Sequence, residues 1–131
     1  MPSDLKKAII GHLGNNVSAV GFAPVDRFAE APEQHHPAKI CKNAQTVIVL
    51  GLQIPVGILK SPDYNLYGLH RSYHTAYRRL DEIALYLCNF IEAQGKYAAV
   101  MIPSYAPMVF HNVEPWGILS LKHAAVRAGL G

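Results

Sequence analysis

From Arg71 to about Ala93 the apolar residues return with a helical period. Tyr73, Tyr77, Leu80, Ala84, Leu87, Cys88 and Ile91 step by four and three, which places them on one face of a long helix. Arg78, Arg79, Asp81, Glu82, Asn89 and Glu92 supply the solvated face, and Gly95 is a stop signal. The other segments have to be arranged around this amphipathic rod.

Two apolar runs of strand length lie on either side of it in the sequence. Thr46 to Leu52 is β-branched, apolar on both faces and bounded by loops, as a strand covered on both sides would be. Tyr97 to Ile102, ended by Pro103, reads as a second buried strand, and Val17 to Phe22 as a third, shorter one. Before these, Leu5, Ala8, Ile9 and Leu13 share a helical face, with Ser3 placed to cap the first turn and Gly14-Asn15-Asn16 to end the helix. A final helix is expected from about Leu119 to Ala128, closed by Gly129-Leu130-Gly131. The segments Pro24–Asn43, Gln53–His70 and Ser104–Pro115 are rich in Pro, Gly and polar residues and read as loops. Helices and strands alternating in this way predict a sheet covered by helices, α/β with α+β as the variant, in a single domain over residues 1–131.

Composition narrows the function. Half of the 131 residues are hydrophobic, enough for a core, and 12 basic against 9 acidic side chains leave a formal charge of only +3. The longest basic clusters are pairs, Lys6-Lys7 and Arg78-Arg79, which argues against nucleic acid as the partner. The N-terminus lacks the apolar core of a signal peptide, and no run approaches the ~18 apolar residues of a membrane span. The expectation is a cytoplasmic protein with no membrane contact. The two cysteines, Cys41 and Cys88, are far apart and form neither a disulfide framework nor a Cys-x-x-Cys site. One copy of this chain therefore cannot ligate a four-thiolate iron–sulfur cluster.

Several residues are candidates on their chemistry. Glu114 lies among Tyr105, Phe110, His111 and Trp116, where a carboxyl held in an apolar setting can donate a proton; a surface carboxylate or a helix-start residue is the alternative. Lys122, in the first turn of the last helix, can meet an anionic group, while His123 beside it reads as packed or hydrogen-bonded. Gly129 and Gly131 can bring backbone close to a large cofactor, although Gly129 also suits a helix C-cap. His70 and His74 share a face if the long helix reaches back that far, but Arg71 stands where a His-Glu-x-x-His motif has its Glu, and no third metal ligand is evident. No metal site is therefore expected. His35 and His36 read as solvent-exposed, and Cys88 as a small hydrophobe.

The tail Ser120-Leu-Lys-His-Ala-Ala-Val-Arg-Ala-Gly-Leu-Gly131 resembles the S-x-K-H-A-A-x-x-A-G-L-G segment of the epoxyqueuosine-reductase-like iron–sulfur proteins, a group related more distantly to the reductive dehalogenases. Three other features agree in order and spacing: Gly21-Phe22 before a Pro-rich loop, the Ala44–Leu52 strand, and the Tyr73-His74 helix ending at Glu92-Ala93-Gln94-Gly95. The resemblance spans essentially the whole chain. It implies the N-terminal module of a longer architecture, with a nitroreductase-like mixed sheet incomplete at the C-terminal end. In that group cobalamin works beside iron–sulfur clusters, so cobalamin is the implied cofactor. The cluster ligands would lie on an electron-donor segment or protein outside these residues. The resemblance also implies that Tyr73 and His74 position cofactor or substrate, and that Lys122, Gly129, Leu130 and Gly131 border the cofactor. The group's catalytic Asp aligns near Pro115, so Glu114 is the nearest substitute, and epoxide reduction itself is in doubt.

Two functions follow from this reading. One is an oxidoreductase module contributing to a cobalamin or substrate pocket, inactive by itself. The other is a non-catalytic ligand-binding or scaffold domain that covers apolar surface by forming a homodimer.

Overall fold

At the centre of the fold, β1 (Ala19–Pro24) and β2 (Thr46–Gly51) pair antiparallel, with Ala19 opposite Gly51 and Pro24 opposite Thr46. The computed structural model describes residues 1–61, 65–104 and 108–131. Successive strand residues point to opposite faces, and both faces of this ribbon are apolar. On one face Val20, Phe22, Ile48 and Leu50 pack against Ile9 and Leu13 of α1 (Ser3–Leu13) and Ile83, Leu87 and Ile91 of α4 (Leu66–Ala93). On the other, Ala23, Val47 and Val49 pack against Phe28, Leu119 and Ala124, the last in α5 (Leu121–Arg127). Val47-Ile48-Val49-Leu50 therefore alternates between two cores, which is why its sequence is apolar without interruption.

The order of elements is α1, β1, α2 (Pro37–Ile40), β2, α3 (Val56–Leu59), α4, β3 (Met108–His111), β4 (Glu114–Gly117) and α5. Short 3-10 turns at residues 14–16, 25–28 and 33–35 fill the connections. The architecture is α+β, with two separate two-stranded antiparallel sheets among the described residues. Also among these residues, no helix is long and apolar enough to cross a membrane.

Close packing of α5 on β1 depends on Gly21. A Cβ there would lie 2.8 Å from both Cβ and O of Ala128 and 2.9 Å from Cγ of Leu130. α5 ends in a Schellman turn: Gly129 has φ +78°, its N–H donates to Val126 O at 3.0 Å, and Leu130 N–H donates to Ala125 O at 2.9 Å. Gly95 closes α4 in the same left-handed region, at φ +79°, as its position in the sequence predicts.

Several expectations need correction. α1 does begin at Ser3, but Pro2 is the capping residue, and the Ser3 hydroxyl faces the Asp4 carboxylate at 3.4 Å instead of a helix N–H. α4 starts five residues before Arg71, so His70 and His74 are both helical. Residues 97–102 form no strand. They run as an extended cover in which Ala99 packs on the α1–α4 core and Ile102 on the α5 core, while Tyr97 and Val100 are exposed. An apolar run tells only that a segment meets a core; a strand also needs a partner, and residues 97–102 pair with no strand among the described residues. Asp81, assigned to the solvated face, is half-buried. The expected loop 104–115 contains β3 and the start of a hairpin, turning at Asn112 with φ +59°, a conformation Asn tolerates. Pro62 and Tyr105 of the expected loops lie outside the described residues.

Candidate functional site

Residues 102–104 and 117–122 enclose a cleft of about 290 Å³ beside α5. Ile102, Pro103, Ile118, Leu119 and Leu121 give it apolar walls, and Ser104, Ser120 and Lys122 add polar groups. Ser120 precedes the helix, and its hydroxyl engages His123 Nδ1 at 2.6 Å, so the His123 ring is held against the first turn. Lys122 is exposed and has no ion pair among the described residues.

The cleft wall is fastened to α4 through Ser104. Its N–H donates to Asp81 Oδ1 at 2.8 Å, and its hydroxyl lies 2.8 Å from the same oxygen and 3.0 Å from Tyr77 O. This explains why Asp81 is half-buried. On the other side, α5 is held to the 25–28 turn by reciprocal contacts: Arg27 donates to Arg127 O at 2.7 Å, Arg127 donates to Arg27 O, and Arg127 lies over the Phe28 ring.

Of the residues singled out from sequence, Lys122 alone lines this cleft. Tyr73 and His74 lie on α4, where their rings stack with centroids 4.8 Å apart, and the Tyr73 hydroxyl meets His70 Nδ1 at 2.8 Å. His70 and His74 are neighbours, ring centroids 4.3 Å apart, as their spacing implies. Among the described residues no group of three metal-binding side chains forms around them. Glu114 stands exposed on the hairpin opposite His111 and does not line this cleft, so the burial on which a proton-donor role depended is missing. Gly129 acts as the helix cap, Leu130 approaches Gly21, and Gly131 follows them in the open, with none of the three at the cleft.

His35 was expected in solvent and is 5% exposed, the one buried polar or charged residue among those described. Pro32 and Pro37 bracket a 3-10 turn that directs its ring under the β3–β4 hairpin. His35 Nε2 and His111 Nε2 are 2.8 Å apart, and His35 Nδ1 faces Ile118 O at 3.3 Å. Trp116 stacks on His35 at 5.4 Å and meets His111 edge-on at 5.3 Å. A carbonyl can only accept, so Nδ1 of His35 carries the proton. In the neutral ring Nε2 is then an acceptor, and His111 Nε2–H donates to it. The ring centroids are 5.1 Å apart, little more than the N···N distance plus the two ring radii, so the nitrogens point directly at each other. Nothing in a His-His pair within a polar loop announces this. The nearest signal was the single Trp116 and His111 in a later loop. His36, in contrast, is half-buried and caps α2 through Nδ1, accepting from Ala38 N–H at 3.2 Å.

Of the two cysteines, Cys88 is half-buried on α4, and burial first, then the nearby Glu92 carboxylate, push its thiol above the ordinary range. No protein-family model matches the sequence, and no curated protein or solved structure matches the chain.

Proposed function

We propose that this chain is a ligand-binding module of an epoxyqueuosine-reductase-like reductase, holding one edge of a substrate or corrinoid in the cleft between residues 102–104 and 117–122. The observation that carries the reading is that the cleft is built partly from the tail that bears the resemblance, Ser120-Leu121-Lys122, with a cation beside an apolar wall. In this reading the β1–β2 ribbon belongs to a nitroreductase-like sheet, the protein is cytoplasmic, and electrons arrive from an iron–sulfur segment or partner.

The residues present fit part of such a ligand and not all of it. Pockets that enclose a drug-sized ligand span about 300–1,000 Å³, so a cleft of about 290 Å³ takes an edge of a corrin macrocycle. Bound there, a corrinoid would supply the reductive chemistry. Lys122 would then neutralise an anionic arm, and Ile102, Ile118 and Leu121 would keep water from the ring edge. A cluster does not fit: the chain has two cysteines, on α4 and after α2. Glu114 stands outside this cleft.

Absorbance titration with hydroxocobalamin, paired with calorimetry, tests the reading. Saturation near one per chain that weakens in Lys122→Ala supports it. No saturable binding removes the corrinoid, and unchanged affinity in Lys122→Ala removes this cleft as its site.

A second reading, a self-associating scaffold domain, is favoured by one feature. Leu59, Leu66 and Tyr67 gather large apolar surface around α3 and the start of α4, and are 62, 72 and 75% exposed. Sedimentation velocity showing a strict monomer at all concentrations sinks it.

A further inference from the structure

α4 divides its charge against its own dipole. Between Leu66 and Leu80 it carries Arg71, Arg78 and Arg79 with no acidic residue, and from Asp81 to Ala93 it carries Asp81, Glu82 and Glu92 with no Lys or Arg. The helix dipole acts within the first and last turns, and α4 has no acid in its first turn and no base in its last. Arg79 is accounted for: it donates to Glu82 at 3.3 Å and to Asn16 at 3.2 Å. Arg71 and Arg78 form no ion pair among the described residues. Both are exposed, so packing does not account for them.

With His70, His74 and Thr75, all on the same face of α4, these two arginines border a shallow groove of about 310 Å³ that is open to solvent. Arg71, Thr75 and Arg78 follow one line along the helix at i, i+4 and i+7. At 1.5 Å per residue the arginines are about 10 Å apart along the axis, within reach of a common point above Thr75 for two long side chains. Thr75 is spoken for: its hydroxyl donates to Arg71 O at 2.8 Å, so it forms a small floor and not a donor. His70 is oriented by Tyr73, whose hydroxyl lies 2.8 Å from Nδ1. In the tautomer that lets that hydroxyl donate, the ring proton is on Nε2 and adds a donor.

We infer that this groove binds a phosphate-type dianion, carried by a small phosphorylated ligand. Two guanidinium forks match a tetrahedral group with several acceptor oxygens, and their summed charge offsets a dianion better than a monocarboxylate. The site is separate from the cleft beside α5 and does not rest on the corrinoid reading.

The test is calorimetric titration of the whole chain with inorganic phosphate, with sodium chloride at matched ionic strength as the control. The expected result is one phosphate per chain with a millimolar or tighter Kd that weakens as salt rises. Arg71→Gln and Arg78→Gln should each weaken it about tenfold, the loss of one charge-assisted contact. Lys60→Gln, outside the groove, should leave it unchanged. Phosphate should also raise the melting temperature of the wild type and not of the double variant. Absence of saturable binding overturns the proposal, as does binding that survives both arginine substitutions. Tight binding of an oligonucleotide with no response to phosphate also overturns it, since that marks a polyanion surface instead of a phosphate site.

Discussion

The His35–His111 contact can be broken while keeping ring volume, by His111→Phe. His35 is 5% exposed and its Nε2 faces His111 Nε2 at 2.8 Å. Its Nδ1 contact to Ile118 O, at 3.3 Å, lies beyond the usual N–H···O range and is weak. The short contact therefore holds most of the polar stabilisation of this ring. Phe at 111 leaves the His35 acceptor buried and unpaired beneath Trp116, a penalty of about 1–3 kcal/mol. In the double variant with His35→Phe, both polar groups are gone, and the loss should fall below the sum of the single losses by about 1 kcal/mol or more. Urea unfolding followed by far-ultraviolet circular dichroism measures all four corners of the cycle. Trp116, the only tryptophan, reports the local environment by fluorescence. A His111→Phe protein as stable as the wild type would refute a stabilising His35–His111 hydrogen bond, and strictly additive losses would show that the two rings are not coupled.

Gly21→Ala should destabilise by about 1–3 kcal/mol, because the new methyl meets the Ala128 backbone oxygen, which cannot step aside as a flexible side chain would. Gly11→Ala, with nothing within 4 Å in the last turn of α1, should instead stabilise by up to about 0.5–1 kcal/mol, and thermal melts of the pair separate the two effects. Ser104→Ala removes the hydroxyl contacts to Asp81 and Tyr77; it should loosen the cleft wall, read as faster amide exchange at Ile102 and residue 104. The raised Cys88 thiol should react with a disulfide reagent more slowly than Cys41, with the gap narrowing as pH rises, which mass spectrometry after quenching resolves by site. Because the folded state holds that proton more tightly, its contribution to stability is complete below the ordinary thiol range and is lost as pH climbs through the raised value.

The parts of the fold legible in the sequence are those set by periodicity. The α4 stripe, the β2 run and the glycine stop at Gly95 came directly from spacing, because burial of a helix face or a strand leaves a repeat behind. What escaped was pairing. Tyr97–Ile102 has the composition of a strand, but whether it pairs depends on what lies beside it, and here it covers both cores without joining the ribbon. The hairpin was hidden because its turn rests on Asn112 alone, without the Asn-Gly that marks such a turn. The candidate site split for the same reason. Lys122 reached the cleft because it is adjacent in sequence to its walls, whereas the Glu114 role required a tertiary enclosure that residues 108–117 do not form.

The two candidate binding regions share one mechanical element. Asp81 is the first acidic residue of α4 after its basic half, and its carboxylate is turned to Ser104 on the cleft wall. Tyr77, a neighbour of Tyr73 in the ring cluster beside the groove, offers its carbonyl to the same Ser104 hydroxyl. The side chains of Tyr73 and His74 thus lie one to two turns before the residues that hold the cleft wall in place. The resemblance assigns Tyr73-His74 and Lys122 to one cofactor. Their positions instead suit a helix that presents an anion site at one end and braces an apolar cleft further along.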